Sequence, residues 1–232
     1  MRSDVGDLTR ISPDELVYWT WGAFRLNATI VFTWTLMAVM VIGSWLATRR
    51  LRTDAAVPRW QALLELAVEA IRDQIREVTR QEPRPYIPFI GTLFLFIALA
   101  NTLSIVPGYL PPTASLSTTA ALAICVFVAV PAYGMLSEGP RAYFRNYVRP
   151  SWVMLPFNVM GELSRTLALA VRLFGNVMSG MKVAAIIVAI VPFIFPIFLQ
   201  LLGLLTGLVQ AYIFAILAAV YIASGVQAKK KT

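Results

Sequence analysis

The chain has 232 residues, of which 58% are hydrophobic and 14% are charged, and its mean hydropathy is +0.70. Soluble domains carry about a quarter charged residues, so this composition indicates a membrane protein. The net charge of +8 does not indicate a nucleic-acid partner, because most basic residues form short clusters beside apolar runs. One cysteine, no histidine and no glycine-rich phosphate loop predict a chain without a metal site, a cofactor or a catalytic centre of its own.

The N-terminal part of the chain predicts one membrane span and one amphipathic helix. Residues 1–25 carry acidic side chains and no apolar core, so they are not a cleaved signal peptide. The basic clusters further along the chain place this segment outside the cytoplasm. Residues 26–47 are apolar over the length of a first span, which ends before Arg49. In residues 58–80 apolar side chains recur at helical spacing between arginines and glutamates, which predicts a surface helix with a solvated charged face.

Residues 88–136 predict the second and third spans. The link between them, PGYLPPTAS at residues 107–115, contains no lysine or arginine, so the positive-inside rule places it outside the cytoplasm. The arginines at 141–149 then return the chain to the cytoplasmic side.

Residues 152–226 contain two long apolar segments, 152–181 and 183–226. Each is longer than a perpendicular crossing needs, which predicts a steep tilt, a break or packing in the membrane plane. Pro192 and Pro196 mark the bend between the helices or a kink. The predicted fold is therefore an all-α polytopic membrane protein, a single membrane domain over 1–232 with about five crossings. Its N-terminus lies outside and its C-terminal lysines lie in the cytoplasm.

A polar stripe interrupts the segment 152–181. Arg165, Arg172, Asn176 and Ser179 follow one another at intervals of seven, four and three residues, which places them on one face of a helix. A charge at the bilayer centre costs at least about 2.5–3.5 kcal/mol. Glu162 lies three residues before Arg165, and this spacing predicts an ion pair between them. Arg172 is then left without an acidic neighbour. Because arginine keeps its proton, Arg172 needs water, backbone or a carboxylate of another subunit, unless the side chain snorkels to a headgroup.

Three stretches resemble subunit a of the F-type ATP synthases. In LALAVRLFGNVMSG, residues 167–180, Arg172 matches the family's indispensable arginine within an Arg-Leu-Phe-Gly-Asn core. In LVQAYIFAILAAVYI, residues 208–222, Gln210 matches the polar position of the last helix. Residues 100–123 are similar to the family's Asn-rich segment, its proline-containing link and the polar start of the next helix.

The resemblance implies a non-catalytic stator subunit of the bacterial inner (cell) membrane. Its last two helices would form a tilted hairpin against a ring of c subunits, with peripheral-stalk b subunits and membrane lipid as further partners. Two offset half-channels would pass ions to and from the carboxylates of the ring. The residues implied in ion translocation and ring contact are Arg172, Asn176, Gln210, Glu162 and Arg165. Those that would line the half-channel are Asn101, Ser104, Ser115, Ser117, Thr119, Ser179, Gln200 and Thr206.

The sequence departs from better-known members of that family. Met181 and Gly203 stand where those members often carry an ionisable pair, and Ser104 or Ser115 stands where an acid is usual in the link region. In these positions the chain is similar to the divergent N-type ATPase branch. A path lined by hydroxyl and amide groups would suit either protons or sodium ions. Gly203 and Gly207 predict close packing of the last helix against a neighbour.

Two other functions account for part of this pattern. A secondary transporter or permease would move a small anion past Arg172, but the sequence has no internal repeat of the kind that many transporters show. A membrane scaffold without transport would leave the polar stripe unexplained. A c-subunit ring and a peripheral stalk that co-purify with the chain would distinguish the stator from both.

Overall fold

The structure is a computed structural model that describes residues 17–21, 24–49, 59–79, 85–106, 108–140, 154–190 and 195–226. The six α-helices described are α1 (Ala28–Thr48), α2 (Arg59–Thr79), α3 (Ile87–Thr102), α4 (Leu116–Glu138), α5 (Met154–Ile190) and α6 (Phe195–Val226). Short 3-10 turns cover Leu103–Ile105 and Pro112–Ala114 in the link between α3 and α4. The arginines at 141–149, the C-terminal lysines and residues 1–16 lie outside the described residues, so the basic clusters remain sequence evidence for orientation.

The predicted fold class is confirmed. All helices described except α2 are long and apolar enough to cross a membrane, which makes five candidate spans in the described residues. The spans are Ala28–Leu46, Ile87–Ile105, Leu116–Ser137, Pro156–Ile190 and Ile197–Gly225. The chain is a multi-pass membrane protein.

A short hairpin precedes the first span. Strand β1 (Val17–Trp21) pairs antiparallel with β2 (Phe24–Asn27), and Trp21 is paired with Phe24. The sequence pattern does not predict regular structure in this segment. Its β-branched and aromatic residues favour strands, but two strands of four or five residues are too short to give a clear periodic pattern.

The two long helices divide later than predicted. Helix α5 runs through Lys182 to Ile190, and α6 begins at Phe195, so the predicted boundary at 182 is wrong. One lysine does not end a helix, because its intrinsic helix propensity is high. Pro196 lies in the first turn of α6, where its missing N–H breaks no helical hydrogen bond. It therefore marks the start of α6 and not a kink, while Pro192 lies outside the described residues.

The core forms where α3, α4, α5 and α6 meet. Ile97, Val126, Leu173 and Phe214, one from each of these helices, are almost completely buried in a single cluster. Helix α5 nevertheless contributes little of its surface, since its buried residues in the described part of the chain are only Leu169, Ala170 and Leu173. Most of α5 therefore faces outward from the bundle.

Helix α2 lies against the ends of α3 and α6 through one apolar contact region. Ile75 is 1% exposed and packs in a cluster with Tyr86, Ile90 and Ile222. Charged side chains of the same helix, such as Arg76, are exposed. The structure thus has the amphipathic surface helix that the sequence predicts.

Candidate functional site

A cavity of about 550 Å³ lies between α3, α5, α6 and the α3–α4 link, and most of its lining surface is apolar. We call it the polar cavity because hydroxyl and amide side chains from these elements also line it. Among the described residues its lining carries hydroxyl and amide groups and no acidic or basic side chain. It also includes Met181 and Gly203, the positions at which the resemblance expects an ionisable pair. The predicted site residues that line it are Asn101, Ser104, Asn176, Ser179, Gln200 and Thr206.

Asn101 joins three elements of the cavity wall. Its Nδ2 donates a hydrogen bond of 3.0 Å to the carbonyl oxygen of Gly207, and its Oδ1 accepts one of 2.7 Å from Thr113 Oγ1. Asn101 is 4% exposed and Thr113 is fully buried. Because both ends of the amide already have protein partners, Asn101 holds α3, the link and α6 together.

The two glycines of α6 differ in their packing. A Cβ added to Gly207 would lie 2.8 Å from Cβ of Asn101, a distance that requires one helix to move. A Cβ added to Gly203 would meet nothing within 4 Å. Gly207 is therefore a site of close helix packing, as predicted, and Gly203 is not, because it faces the cavity.

Asn176 and Gln210 connect α5 to α6. Asn176 Nδ2 donates a hydrogen bond of 3.2 Å to Oε1 of Gln210, whose side chain is 4% exposed. Asn176 also lines the cavity. The structure thus brings together two of the residues that the sequence pattern selects.

Arg172 lies one helical turn before Asn176, and its side chain is exposed. Its neighbour Val171 is 59% exposed and Leu167 is 57% exposed, so the outward surface of α5 is mostly apolar. Within the described part of the chain, Arg172 makes no hydrogen bond or ion pair. The site therefore presents a permanent positive charge on an apolar surface beside a polar cavity.

Glu162 and Arg165 do not form the ion pair that their spacing predicts. The Arg165 guanidinium lies over the ring of Tyr221 on α6, 5.6 Å from its centroid. The aromatic ring of Tyr221 thus competes for the Arg165 guanidinium with the Glu162 carboxylate, which lies one turn away on the same helix. Glu162 is half-buried beside Thr166 and Ser224 around a cavity of about 20 Å³, and no described residue pairs with its carboxylate. That volume is enough for about one water molecule.

Ser115, Ser117 and Thr119 do not line the polar cavity. The hydroxyls of Ser115 and Ser117 are 2.6 Å apart, and Thr119 Oγ1 donates to the carbonyl oxygen of Leu116 at 3.1 Å. These side chains serve the first turn of α4, because hydroxyls bond readily to nearby backbone and to each other.

Tyr109 is not among the site residues that the sequence predicts. This residue of the link lines the cavity, and its hydroxyl is buried without a hydrogen-bond partner among the described residues. The available signal was an aromatic side chain directly after Pro107 and Gly108, a pair that favours a turn.

Comparison with known proteins places this arrangement in a family. The pattern of the family described as ATP synthase A chain matches residues 30–223. The chain belongs to the ATP synthase A chain family. It is 57% identical over 217 residues to ATP synthase subunit a 2 of Acaryochloris marina, covering 94% of this chain and 93% of that protein. It is 58% identical over 221 residues to ATP synthase subunit a of Albidiferax ferrireducens, covering 95% and 96%.

The match to the ATP synthase A chain family includes the candidate site. Residues 30–223 contain the whole cavity lining together with Arg172 and Glu162. Membership of this family makes the chain a component of a larger complex. In a complex, other subunits can cover the surface of a spanning helix that has as little internal burial as α5.

Proposed function

We propose that this chain is the stator subunit a of a rotary F-type ATP synthase. It passes protons or sodium ions through two offset half-channels to and from the carboxylates of a c-subunit ring. Ion flow is thereby coupled to ring rotation and to ATP synthesis or hydrolysis. The observation that carries the proposal is the unpaired charge of Arg172 on the exposed face of α5, one turn from the polar cavity.

A carboxylate of the ring is the partner that fits Arg172. Exposure of this charge to lipid would cost at least about 2.5–3.5 kcal/mol. A fixed cation favours the ionised form of a nearby carboxyl, so a ring carboxyl that reaches Arg172 releases its ion. The same charge repels an ion that would pass directly between the half-channels.

The polar cavity is the candidate for the non-cytoplasmic half-channel. It reaches from the α3–α4 link to Asn176, the residue one turn from Arg172. Hydroxyl and amide oxygens suit a hard cation such as sodium, and they also support the hydrogen-bonded water that carries protons. The proposal therefore covers both ions.

The region around Glu162 is the candidate for the cytoplasmic half-channel. The carboxylate is half-buried next to a small cavity and has no ion pair in the described part of the chain. A half-buried acid in a spanning helix that makes no ion pair with Arg165 is more consistent with a role in ion passage than with neutralisation of Arg165.

We expect Glu162→Gln to leave the complex assembled and to lower ATP-driven ion uptake by about 100-fold or to shift its pH dependence. The substitution keeps the shape of the side chain and removes its charge. Glu77→Gln on the exposed face of α2 is the control, and it should pump like the wild type. Unchanged pumping by Glu162→Gln at every pH and sodium concentration would leave Glu162 with a structural role.

The orientation and the other partners belong to the same proposal. The basic clusters after the first and third spans and at the C-terminus support a cytoplasmic C-terminus and an N-terminus outside the bacterial inner membrane. Peripheral-stalk b subunits would hold the chain against the moving ring, and lipid would cover the apolar surface that remains.

Purification of the tagged chain in mild detergent tests the proposal. The complex should contain a c-subunit ring and peripheral-stalk b subunits, and in vesicles it should take up protons or sodium ions when ATP is added. A chain that purifies without a ring and moves a small anion independently of ATP would instead be a permease.

A further inference from the structure

Tyr221, near the C-terminal end of α6, contacts one member of a pair of opposite charges on α5. The Arg165 guanidinium lies over the Tyr221 ring, 5.6 Å from its centroid, and makes no ion pair with Glu162. We propose that Tyr221 is a positioning residue whose ring holds Arg165 and so leaves the Glu162 carboxylate free to bind the translocated ion. The inference rests on the proposed function, since it explains how the cytoplasmic half-channel keeps its acid available.

Helix α5 by itself would favour the ion pair. Glu162 and Arg165 are three residues apart, and side chains at this spacing are neighbours on a helix surface, with the acid before the base as the favourable order. The attraction between the two charges is also stronger in a membrane-embedded protein than in water, because the surrounding dielectric is lower. An ion pair that does not form under these conditions indicates that another group holds the arginine.

The ring of Tyr221 is the group that can hold it. A guanidinium within about 6 Å of the centroid of an aromatic ring is attracted by the negative face of the ring. The distance of 5.6 Å between Arg165 Cζ and the Tyr221 centroid lies within this range. Arginine suits the contact, because its planar guanidinium stacks on aromatic faces. The ring therefore attracts Arg165 without using a carboxylate.

Packing fixes the position of Tyr221. The residue is partly buried and packs against both core clusters, the one that contains Phe214 and the one that contains Ile75. The next residue of α6, Ile222, is 1% exposed. Because the tyrosine is already ordered by these contacts, its interaction with Arg165 costs little further side-chain entropy. Tyr221 thus presents its ring to α5 from a defined place on α6.

Arg165 is the one cation beside Glu162 among the described residues that line the cavity of about 20 Å³. Helix α4 contributes only apolar side chains to this lining, and α6 contributes Tyr221 and Ser224. The hydroxyls of Thr166 and Ser224 donate to the backbone carbonyl oxygens of Glu162 and Tyr221, at 2.9 Å and 2.8 Å. The position of Arg165 therefore decides whether the Glu162 carboxylate is paired.

The test is a double-mutant cycle on Tyr221 and Arg165 in the purified complex. Tyr221→Leu removes the ring and keeps apolar volume, so Arg165 can pair with Glu162. ATP-driven ion uptake per assembled complex should then fall by about 3- to 10-fold, the factor that one cation–π contact is worth. In complexes that already carry Arg165→Gln, Tyr221→Leu should cause no further loss, because no guanidinium is left to pair with Glu162.

Two further variants separate the ring from the rest of the side chain. Tyr221→Phe keeps the aromatic face and loses only the hydroxyl, so it should retain the uptake of the wild type. Tyr221→Met has no ring and fills apolar space in a different shape, so it should lose the same factor as Tyr221→Leu.

Three results would overturn the assignment. Normal uptake by Tyr221→Leu and Tyr221→Met would show that the ring does not control Glu162. An equal loss from Tyr221→Leu with and without Arg165 would show that Tyr221 acts through packing. A loss in Tyr221→Phe as large as in Tyr221→Leu would assign the effect to the hydroxyl. If Tyr221→Leu pumps normally while Glu162→Gln loses pumping, this inference fails and the proposed function stands.

Discussion

Arg172→Ala is expected to abolish ATP-driven ion uptake while the complex still assembles. An opposite charge within about 4–6 Å lowers a carboxyl pKa by about 1–3 units, so its loss would slow ion release by about 10- to 1,000-fold. Loss of the charge also removes the barrier to direct leakage between the half-channels. Assembly should survive, because the Arg172 side chain is exposed and makes no hydrogen bond or ion pair in the described part of the chain.

Two further variants make this result specific. Arg172→Lys keeps one positive charge but loses the planar, delocalised group, so it should restore uptake only in part. Val39→Ala removes exposed apolar volume from α1, which is not part of the proposed ring contact, and should pump normally. Uptake is measured in vesicles with proton and sodium indicators, at equal amounts of assembled complex. Normal uptake by Arg172→Ala would refute the proposed role of this residue.

Gly207→Ala is expected to destabilise the bundle. The new Cβ would lie 2.8 Å from Cβ of Asn101, and Asn101 cannot turn away without losing its hydrogen bonds to Gly207 and Thr113. Overpacking of this kind costs about 1–3 kcal/mol. The yield of complex and its thermal unfolding midpoint should both fall, and pumping should fall with them because Asn101 forms part of the cavity wall.

Gly203→Ala is the matched control, since Gly203 lies one turn earlier on α6 and also lines the cavity. A Cβ there meets nothing within 4 Å, so this variant should unfold at or slightly above the wild-type temperature. Equal stability losses in the two variants would show that close packing against Asn101 is not the cause.

The sequence predicted most of the fold because the bilayer limits the choice. Apolar runs of about 20 residues between basic clusters specify spanning helices. The helical spacing of Arg165, Arg172 and Asn176 likewise predicts their common face, whatever the helix packs against. These features depend only on residues that are close together in the sequence, so a periodic pattern predicts them directly.

Contacts between helices were harder to predict. The spacing of Glu162 and Arg165 suggests an ion pair, but it contains no information on Tyr221 of α6. The Arg165 guanidinium lies over the ring of Tyr221 instead. The hydroxyls of Ser115 and Thr119 suggest a channel lining, but they are used in the first turn of α4. Tyr109 was missed for the same reason, since its importance comes from the cavity that distant segments form.

The proposed function requires that the exposed face of α5 around Arg172 contact the c-subunit ring. Disulfide cross-linking in the intact complex tests it most directly, after the exposed Cys125 has been replaced by serine. Ala168→Cys and Ala170→Cys are a matched pair, because Ala168 is exposed and Ala170 is 5% exposed. Each is combined with a cysteine placed beside the carboxylate of the c subunit. We expect a cross-link from position 168 and none from position 170. No cross-link from 168, or equal cross-linking from both, would contradict it.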